Sequence, residues 1–335
     1  DINLSVSLEN WVYGENSNTP MVSGNTGTTE VTYAYKEKAA ENSAYKEVTV
    51  DELRNLPVGQ YTLKATVKES ANYNGASATC DFTVAKHAIT VVTAMDNWVY
   101  GNQTKTPTVI VKAEGKDITS SYEKLQMTHT YYTDSECNYK TTSENGAASD
   151  GAVPKNAGTY YVKIDVEATE NYSDGSAVVS FTIEKRKIGI NWIGKEFIYN
   201  GSAQQPTAAA TNLVEGDSCT ITVSGSGTNA NVGEDTYKAT AVGVSNSNYI
   251  LPEDGKIFRF AICPKKLTNA MVTLDYDKFE YSKNEQGPSI GVKDGVASLV
   301  KDTDYEVSGD ISKSALGNYT VTITGKGNYT GTVDK

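Results

Sequence analysis

One order of signals is written four times along this chain, and it restricts the fold more than any other feature. An aromatic-x-Tyr tripeptide comes first: Trp11-Val12-Tyr13, Trp98-Val99-Tyr100, Phe197-Ile198-Tyr199 and Phe279-Glu280-Tyr281. A proline follows each tyrosine by seven residues, at Pro20, Pro107, Pro206 and Pro288. Then come a Gly-x-Tyr, an Asn-Tyr and an alternating apolar segment. Recurrence at roughly 80 to 100 residues is the spacing of whole small domains, longer than the unit of a solenoid. The expected modules are 1–86, 87–185, 186–264 and 265–335.

Within a module the most regular piece begins at the Gly-x-Tyr. In Gly59-Gln60-Tyr61-Thr62-Leu63-Lys64-Ala65-Thr66-Val67, period two puts Tyr61, Leu63, Ala65 and Val67 on one face of a half-buried antiparallel sheet. The second module repeats this from Gly158 through Tyr160, and the fourth from Gly317 through Tyr319. The third stretches the spacing between Gly233 and Tyr237. A tyrosine two residues after a glycine at the start of a late strand is the pattern of a tyrosine corner, with its hydroxyl tying down the preceding loop. The Asn-Tyr pairs Asn72-Tyr73, Asn171-Tyr172, Asn248-Tyr249 and Asn328-Tyr329 read as turns. A closing strand follows: Cys80-Asp81-Phe82-Thr83-Val84, Val179-Ser180-Phe181-Thr182-Ile183 and Phe258-Arg259-Phe260-Ala261-Ile262. In the fourth module the sequence reaches Lys335 first, so that module is expected to be cut short within its last strand or closed differently.

Helical signal is confined to Val50 through Leu56, one turn before Pro57 and too short to stand alone. The expected fold class is therefore all-β: a tandem array of four Ig-like β-sandwich modules. Only two or three residues join consecutive modules, with basic residues at each junction (Lys86, Arg186 and Lys187, Lys265 and Lys266). Such short links predict a semi-rigid elongated rod, roughly 100 to 150 Å long at about one strand length per module. The junction bases read as solvated turn residues.

This combination of motifs resembles the MBG-type bacterial immunoglobulin-like module, most clearly in Tyr199-Asn200-Gly201 through Pro206 and in Gly158-Thr159-Tyr160 through Ile183. The departures are the absent glycine after Tyr281, the stretched Gly233 segment and a polar insertion from Thr133 to Asp150. The resemblance implies repeated sandwiches of secreted or surface-attached bacterial proteins, used as stalks or adhesive regions, with no catalytic residues to carry over.

Composition narrows the function. The net charge is −11, mostly carried by residues 1–185, and only three arginines stand against 27 lysines, so a clustered basic face for nucleic acid is not expected. No apolar stretch approaches the roughly 18 residues of a membrane span. The residues after Asp1 lack the charged and apolar segments of a signal peptide, so any export signal is expected to have been removed. Cys80, Cys137, Cys219 and Cys263 form no repeated framework; Cys80 and Cys219 read as small buried hydrophobes, and a Cys219 to Cys263 bridge stays open.

Chemistry is sparse. His87 and His129 stand without a repeated nucleophile or acid, and no phosphate, dinucleotide or metal motif is present, so neither enzyme nor cofactor is expected. Asp302/Asp304 and Asp275/Asp277 lack calcium-loop spacing and read as solvated faces. Lysines such as Lys64 and Lys163 fall on outward phases, which argues against a Lys to Asn cross-link. The repeated aromatics Trp11, Tyr13, Tyr61, Trp98, Tyr100, Tyr160, Phe197, Tyr199, Tyr237, Phe279, Tyr281 and Tyr319 read as structural plugs. A binding role falls on the aromatics without repeat equivalents: Trp192, and Tyr131, Tyr132 and Tyr139 near the insertion. The leading expectation is a non-catalytic, monomeric extracellular stalk or spacer of a bacterial surface protein, with an adhesive role left open; the alternative is a carbohydrate- or host-ligand-binding segment using those four side chains of modules two and three.

Overall fold

The structure is a computed structural model that describes residues 3–335 apart from 17, 27–28, 41–42, 123–126, 143–150 and 231–236. Its contacts divide the chain into two units. One holds Asp1–Trp98 and Asn102–Glu184, the other Val99–Gly101 and Lys185–Lys335. Both are all-β apart from a few short turns of helix.

In the first repeat, Ser5–Ser7 pairs antiparallel with Met21–Ser23 in a small sheet. The chain then crosses to the other layer, where Trp11–Val12 lies parallel to the closing strand Ala76–Ala85, with Trp11 opposite Val84. Beyond that strand come Gly59–Val67, Val31–Glu37 and Lys46–Val48, all antiparallel. The period-two pattern works as period two requires: Tyr61, Leu63, Ala65 and Val67 are buried and alternate with half-exposed neighbours. The core between the layers is built on Leu8, Trp11, Leu53, Leu63, Phe82 and Val84. Leu53 reaches it from the single turn Val50–Leu53, which is started by a reciprocal capping box between Thr49 and Glu52.

The later repeats rebuild the same two layers. Thr90–Ala94 with Thr108–Ala113 stands opposite a sheet holding Met127–Tyr132, Gly158–Val166 and Gly175–Glu184. Gly189–Ile193 with Thr207–Thr211 stands opposite Glu196–Ile198, Ile257–Cys263, Tyr237–Val244 and Ile221–Ser224. In the fourth repeat Val272–Leu274 and Ile290–Asp294 face Tyr305–Gly309, Val321–Gly325 and Thr332–Asp334.

Three local readings change. The turn after Tyr281 forms without glycine, because Lys283 adopts a φ of 63°, two residues on from its tyrosine as Gly201 is, whose φ is 77°. The glycine beneath Tyr237 is Gly227, where a Cβ would lie 2.7 Å from the ring; Gly233 lies outside the described residues. All four cysteines are free thiols, so Cys219 and Cys263 are not bridged.

Candidate functional site

Two sets of residues recur with function-like geometry: the aromatic stack inside each repeat and the joint between neighbouring repeats. The stack begins with the late-strand tyrosine. Tyr61, Tyr160, Tyr237 and Tyr319 donate their hydroxyls to the carbonyls of Pro57, Asn156, Asn229 and Ala315 at 2.8, 3.0, 2.9 and 2.8 Å. Folding the ring back in this way lays it over the preceding glycine, where a Cβ on Gly59 would come within 3.0 Å of it. Burial pushes the Tyr61 hydroxyl up to about 12.

The joint uses the other half of the repeated signal. Trp11–Val12 ends as a strand, the chain turns at Gly14 (φ 81°), and Tyr13 is carried past the sheet to meet the Asn-Tyr turn of the next repeat. Its ring stands edge-on to Tyr172 at 5.9 Å. The same pair forms between Tyr100 and Tyr249 at 5.5 Å, and between Tyr199 and Tyr329 at 5.6 Å. Edge-to-face pairs of this kind contribute about 0.5–1.5 kcal/mol beyond their area.

Backbone bonds complete the joint. The first residue of each following repeat pairs with the Asn-Tyr turn of its own repeat: the amides of His87, Arg186 and Lys265 donate to the carbonyls of Asn171, Asn248 and Asn328. The Asn171 carboxamide then accepts from the Val58 amide at 3.1 Å, and Asn328 from the Ala230 amide at 2.8 Å. The turn is thereby tied to both repeats it separates.

Charges tighten the arrangement, and the junction bases are more than solvated turn residues. Lys86 Nζ donates to the Thr169 carbonyl at 2.6 Å. Arg186 spreads its guanidinium over the Asn212 carbonyl (2.9 Å), the Asn212 side chain (3.0 Å) and the Tyr100 carbonyl (3.4 Å). Lys265 holds Asp294 at 2.6 and 2.8 Å, and Asp294 also accepts from the Tyr329 hydroxyl. Asp217 accepts from both Tyr100 and Tyr249. Burial, followed by these carboxylates, pushes the Tyr100 and Tyr329 hydroxyls up to about 12.

His87 is buried, with Nδ1 2.9 Å from the Tyr13 carbonyl, which can only accept; Nδ1 therefore carries the proton and Nε2 is the nitrogen free to bind. Glu15, His87 and Glu114 offer donor atoms within 4.8 Å of one another, the one such trio among the described residues. A carbonyl-oriented histidine suits a cation ligand, while both carboxylates are exposed. No motif links residues 15, 87 and 114, so sequence spacing gave no sign of it. Within the aspartate pairs, Asp275 accepts from the Ser289 amide of the neighbouring strand end and Asp304 from the Val300 amide within a turn, each at 2.8 Å.

The four aromatics singled out for binding do not form a common surface. Tyr131 and Tyr132 are buried, at 5% and 8% exposure, and only Tyr139 is open, at 71%. Tyr131 has a repeat equivalent after all. It lies opposite Val162 as Tyr35 lies opposite Leu63, and it packs edge-on against Phe181. Trp192 stacks on Phe258 at 5.2 Å and donates its indole N–H to the Gly255 carbonyl at 3.0 Å. It sits opposite Ala208 as Val6 sits opposite Val22, a large side chain filling space that alanine leaves. The signal for this was present: Val6, Thr93, Trp192 and Leu274 each precede the repeat aromatic by five residues.

The paired layers and the repeated core define a tandem immunoglobulin-like β protein. No family model and no curated protein matches the chain. Solved tandem-domain structures are similar to it. Three N-terminal domains of the highly immunogenic outer capsid protein of bacteriophage RB49 cover 99% of the chain and 97% of their own length, at 12% identity and a TM-score of 0.23. Mouse cadherin-23 EC22–24 covers 100% and 98%, at 8% identity and a TM-score of 0.24. A SusE-like surface located polysaccharide binding protein from Bacteroides thetaiotaomicron covers 67% of the chain and 41% of its own length, at 14% identity and a TM-score of 0.18. Scores this low carry no argument about the site. Among the described residues, no helix is long and apolar enough to cross a membrane.

Proposed function

We propose that the chain is a non-catalytic, extracellular stalk region of a bacterial surface protein, made of four MBG-type sandwich domains bounded at 1–86, 87–185, 186–264 and 265–335. The observation that carries this reading is the joint. A tyrosine pair and backbone pairing at the Asn-Tyr turn recur wherever one repeat follows another. Binding proteins need variable loops on a scaffold, whereas a spacer needs its successive domains fixed to each other, and the repeated motif is spent on the latter. The glycan- or host-ligand-binding alternative keeps one open aromatic of its four, Tyr139.

Small-angle scattering of the whole chain tests the proposal. A spacer gives a maximum dimension on the order of 100 Å or more, at about one strand length per domain. Replacing Tyr172 and Asn171 together by alanine should broaden the distance distribution while each sandwich stays folded. A compact distribution, or one that the double variant leaves unchanged, would refute the reading.

A further inference from the structure

The joint between the first two repeats differs from the next two in the charge it sets beside the Asn-Tyr turn. The residue whose amide donates to the asparagine carbonyl of that turn is a fixed cation in the later joints. Arg186 spreads over Asn212, just past strand Thr207–Thr211, and Lys265 holds both oxygens of Asp294, the last residue of strand Ile290–Asp294. In the first joint the same place belongs to His87, and the residue just past strand Thr108–Ala113 is Glu114. A second carboxylate, Glu15, reaches them from the first repeat. Two anions thus converge where the other joints keep a permanent positive charge, and a histidine stands in its place.

The backbone places all three side chains. His87 grips the turn on both sides, its amide on the Asn171 carbonyl at 3.0 Å and its carbonyl on the Ser173 amide at 2.9 Å. Its ring is only 8% exposed, Nδ1 is committed to the Tyr13 carbonyl, and Nε2 has no hydrogen-bond or ion-pair partner among the described residues. A ring nitrogen of His87 and one carboxylate oxygen each from Glu15 and Glu114 lie within 4.8 Å of one another. Glu15 follows the turn at Gly14, with its amide on the Val12 carbonyl at 3.0 Å. Glu114 has a φ of 47° in the two-residue turn between the paired Ala113 and Lys116, a place that favours Asn, Asp or Gly, so turn chemistry does not account for a glutamate there. Neither carboxylate has an ion-pair partner among the described residues. The adjacent cation, Lys86, is turned to the Thr169 carbonyl.

We propose that Glu15, His87 and Glu114 form a zinc site that clips the first repeat to the second. An imidazole nitrogen suits zinc, whereas calcium and magnesium take shells of oxygen. Zinc bonds of about 2.0–2.2 Å set tetrahedral donors about 3.4 Å apart, so the two exposed carboxylates need to close by at most about 1.4 Å. Water completes the fourth position. A carbonyl on the far nitrogen is the usual orienting partner of a zinc-bound histidine, and here it belongs to Tyr13, the joint tyrosine itself. The ion supplies the positive charge that Arg186 and Lys265 supply in the later joints. Zinc uptake at this place is independent of the chain's role as a spacer, and its test does not read molecular shape.

The test titrates zinc chloride into the full chain by calorimetry, with calcium chloride alongside. One equivalent of zinc is expected, bound on the order of a hundredfold more tightly than calcium. Glu15→Gln and Glu114→Gln, at exposed positions, keep the fold and should each weaken zinc binding at least tenfold. His87→Gln retains a donor for the Tyr13 carbonyl and should weaken it as much or more. His87→Arg brings the cation of the next joint into this one; it should take up no zinc and melt at or above the zinc-free parent. His129→Gln, exposed in strand Met127–Tyr132, should leave the titration unchanged. Zinc should also slow hydrogen exchange across residues 13–15 in the parent and not in Glu114→Gln, whose altered residue lies in the other repeat. The proposal is overturned by an absence of saturable zinc uptake, by calcium binding as tight as zinc, by glutamine variants at 15 and 114 that bind as the parent does, or by uptake that His129→Gln abolishes.

Discussion

Trp11 and Phe279 occupy the same place in the repeat, yet truncating them should have very different consequences. Trp11 is 5% exposed and stacked on Phe82 at 5.1 Å with 13° between the planes. Replacing such a buried aromatic by alanine removes its transfer free energy and leaves a cavity, costing about 3–5 kcal/mol. Whole domains are stable by roughly 5–15 kcal/mol, so Trp11→Ala should bring the first repeat close to unfolding at 25 °C. Phe279 is 43% exposed and opens onto a cleft, so Phe279→Ala forfeits part of its area and creates no enclosed cavity, for about 1 kcal/mol. Native-state hydrogen exchange read by mass spectrometry separates the two, with Gly59–Val67 reporting on the first repeat and Val321–Gly325 on the fourth. Exchange at Gly59–Val67 should accelerate at least a hundredfold in Trp11→Ala, and that at Val321–Gly325 at most about tenfold in Phe279→Ala. Equal acceleration would mean that Phe279 is as well packed as Trp11 and would refute the reasoning from exposure. A companion substitution sharpens the point. The Trp11 indole nitrogen is buried without a hydrogen-bond partner among the described residues, so Trp11→Phe, the residue found at 197 and 279, should change stability by less than about 1 kcal/mol.

Three further outcomes follow from the same geometry. Tyr249→Phe keeps the edge-on ring but strips the Val214 amide of its acceptor and Asp217 of a donor, so it should cost about 1–3 kcal/mol in a denaturant titration of the second unit. Tyr61, Tyr100 and Tyr329 are neutral in the fold up to about pH 12, while their unfolded forms ionise near 10, so the unfolded state binds fewer protons between those values. Their contribution is therefore complete below pH 10 and lost as pH rises toward 12; absorbance at 295 nm should show these hydroxyls titrating together with unfolding, not before it. With four free thiols, the melting temperature should be the same with and without reductant, and denatured protein should take up four alkyl groups by intact mass.

What could be read from the sequence was whatever is local. The strand from Gly59 to Val67 announces itself because its side-chain period is its burial period, and the closing strands share its phase. The equivalence of Tyr131 with Tyr35 was hidden because loops of unequal length separate each from the Gly-x-Tyr it pairs beside; register is set by hydrogen bonds, not by residue count. The place of Trp192 is obscured in the sequence for a different reason. A lone tryptophan draws attention as a ligand surface, whereas its five-residue spacing from Phe197 marked the place that valine, threonine and leucine take in the other repeats. The joint was out of reach of any local pattern, since Tyr13 and Tyr172 are far apart in sequence and no period connects them.

The joint also explains why the tripeptide recurs as a unit. Its first aromatic is used inside its own repeat and its tyrosine on the next, and one bond ties the two uses together: the amides of Tyr13 and Tyr199 donate to the closing-strand carbonyls of Ala85 and Cys263, each at 2.9 Å. The closing strand thus sets where the joint tyrosine points. In the fourth repeat Phe279–Tyr281 belongs to no strand, and both rings are open.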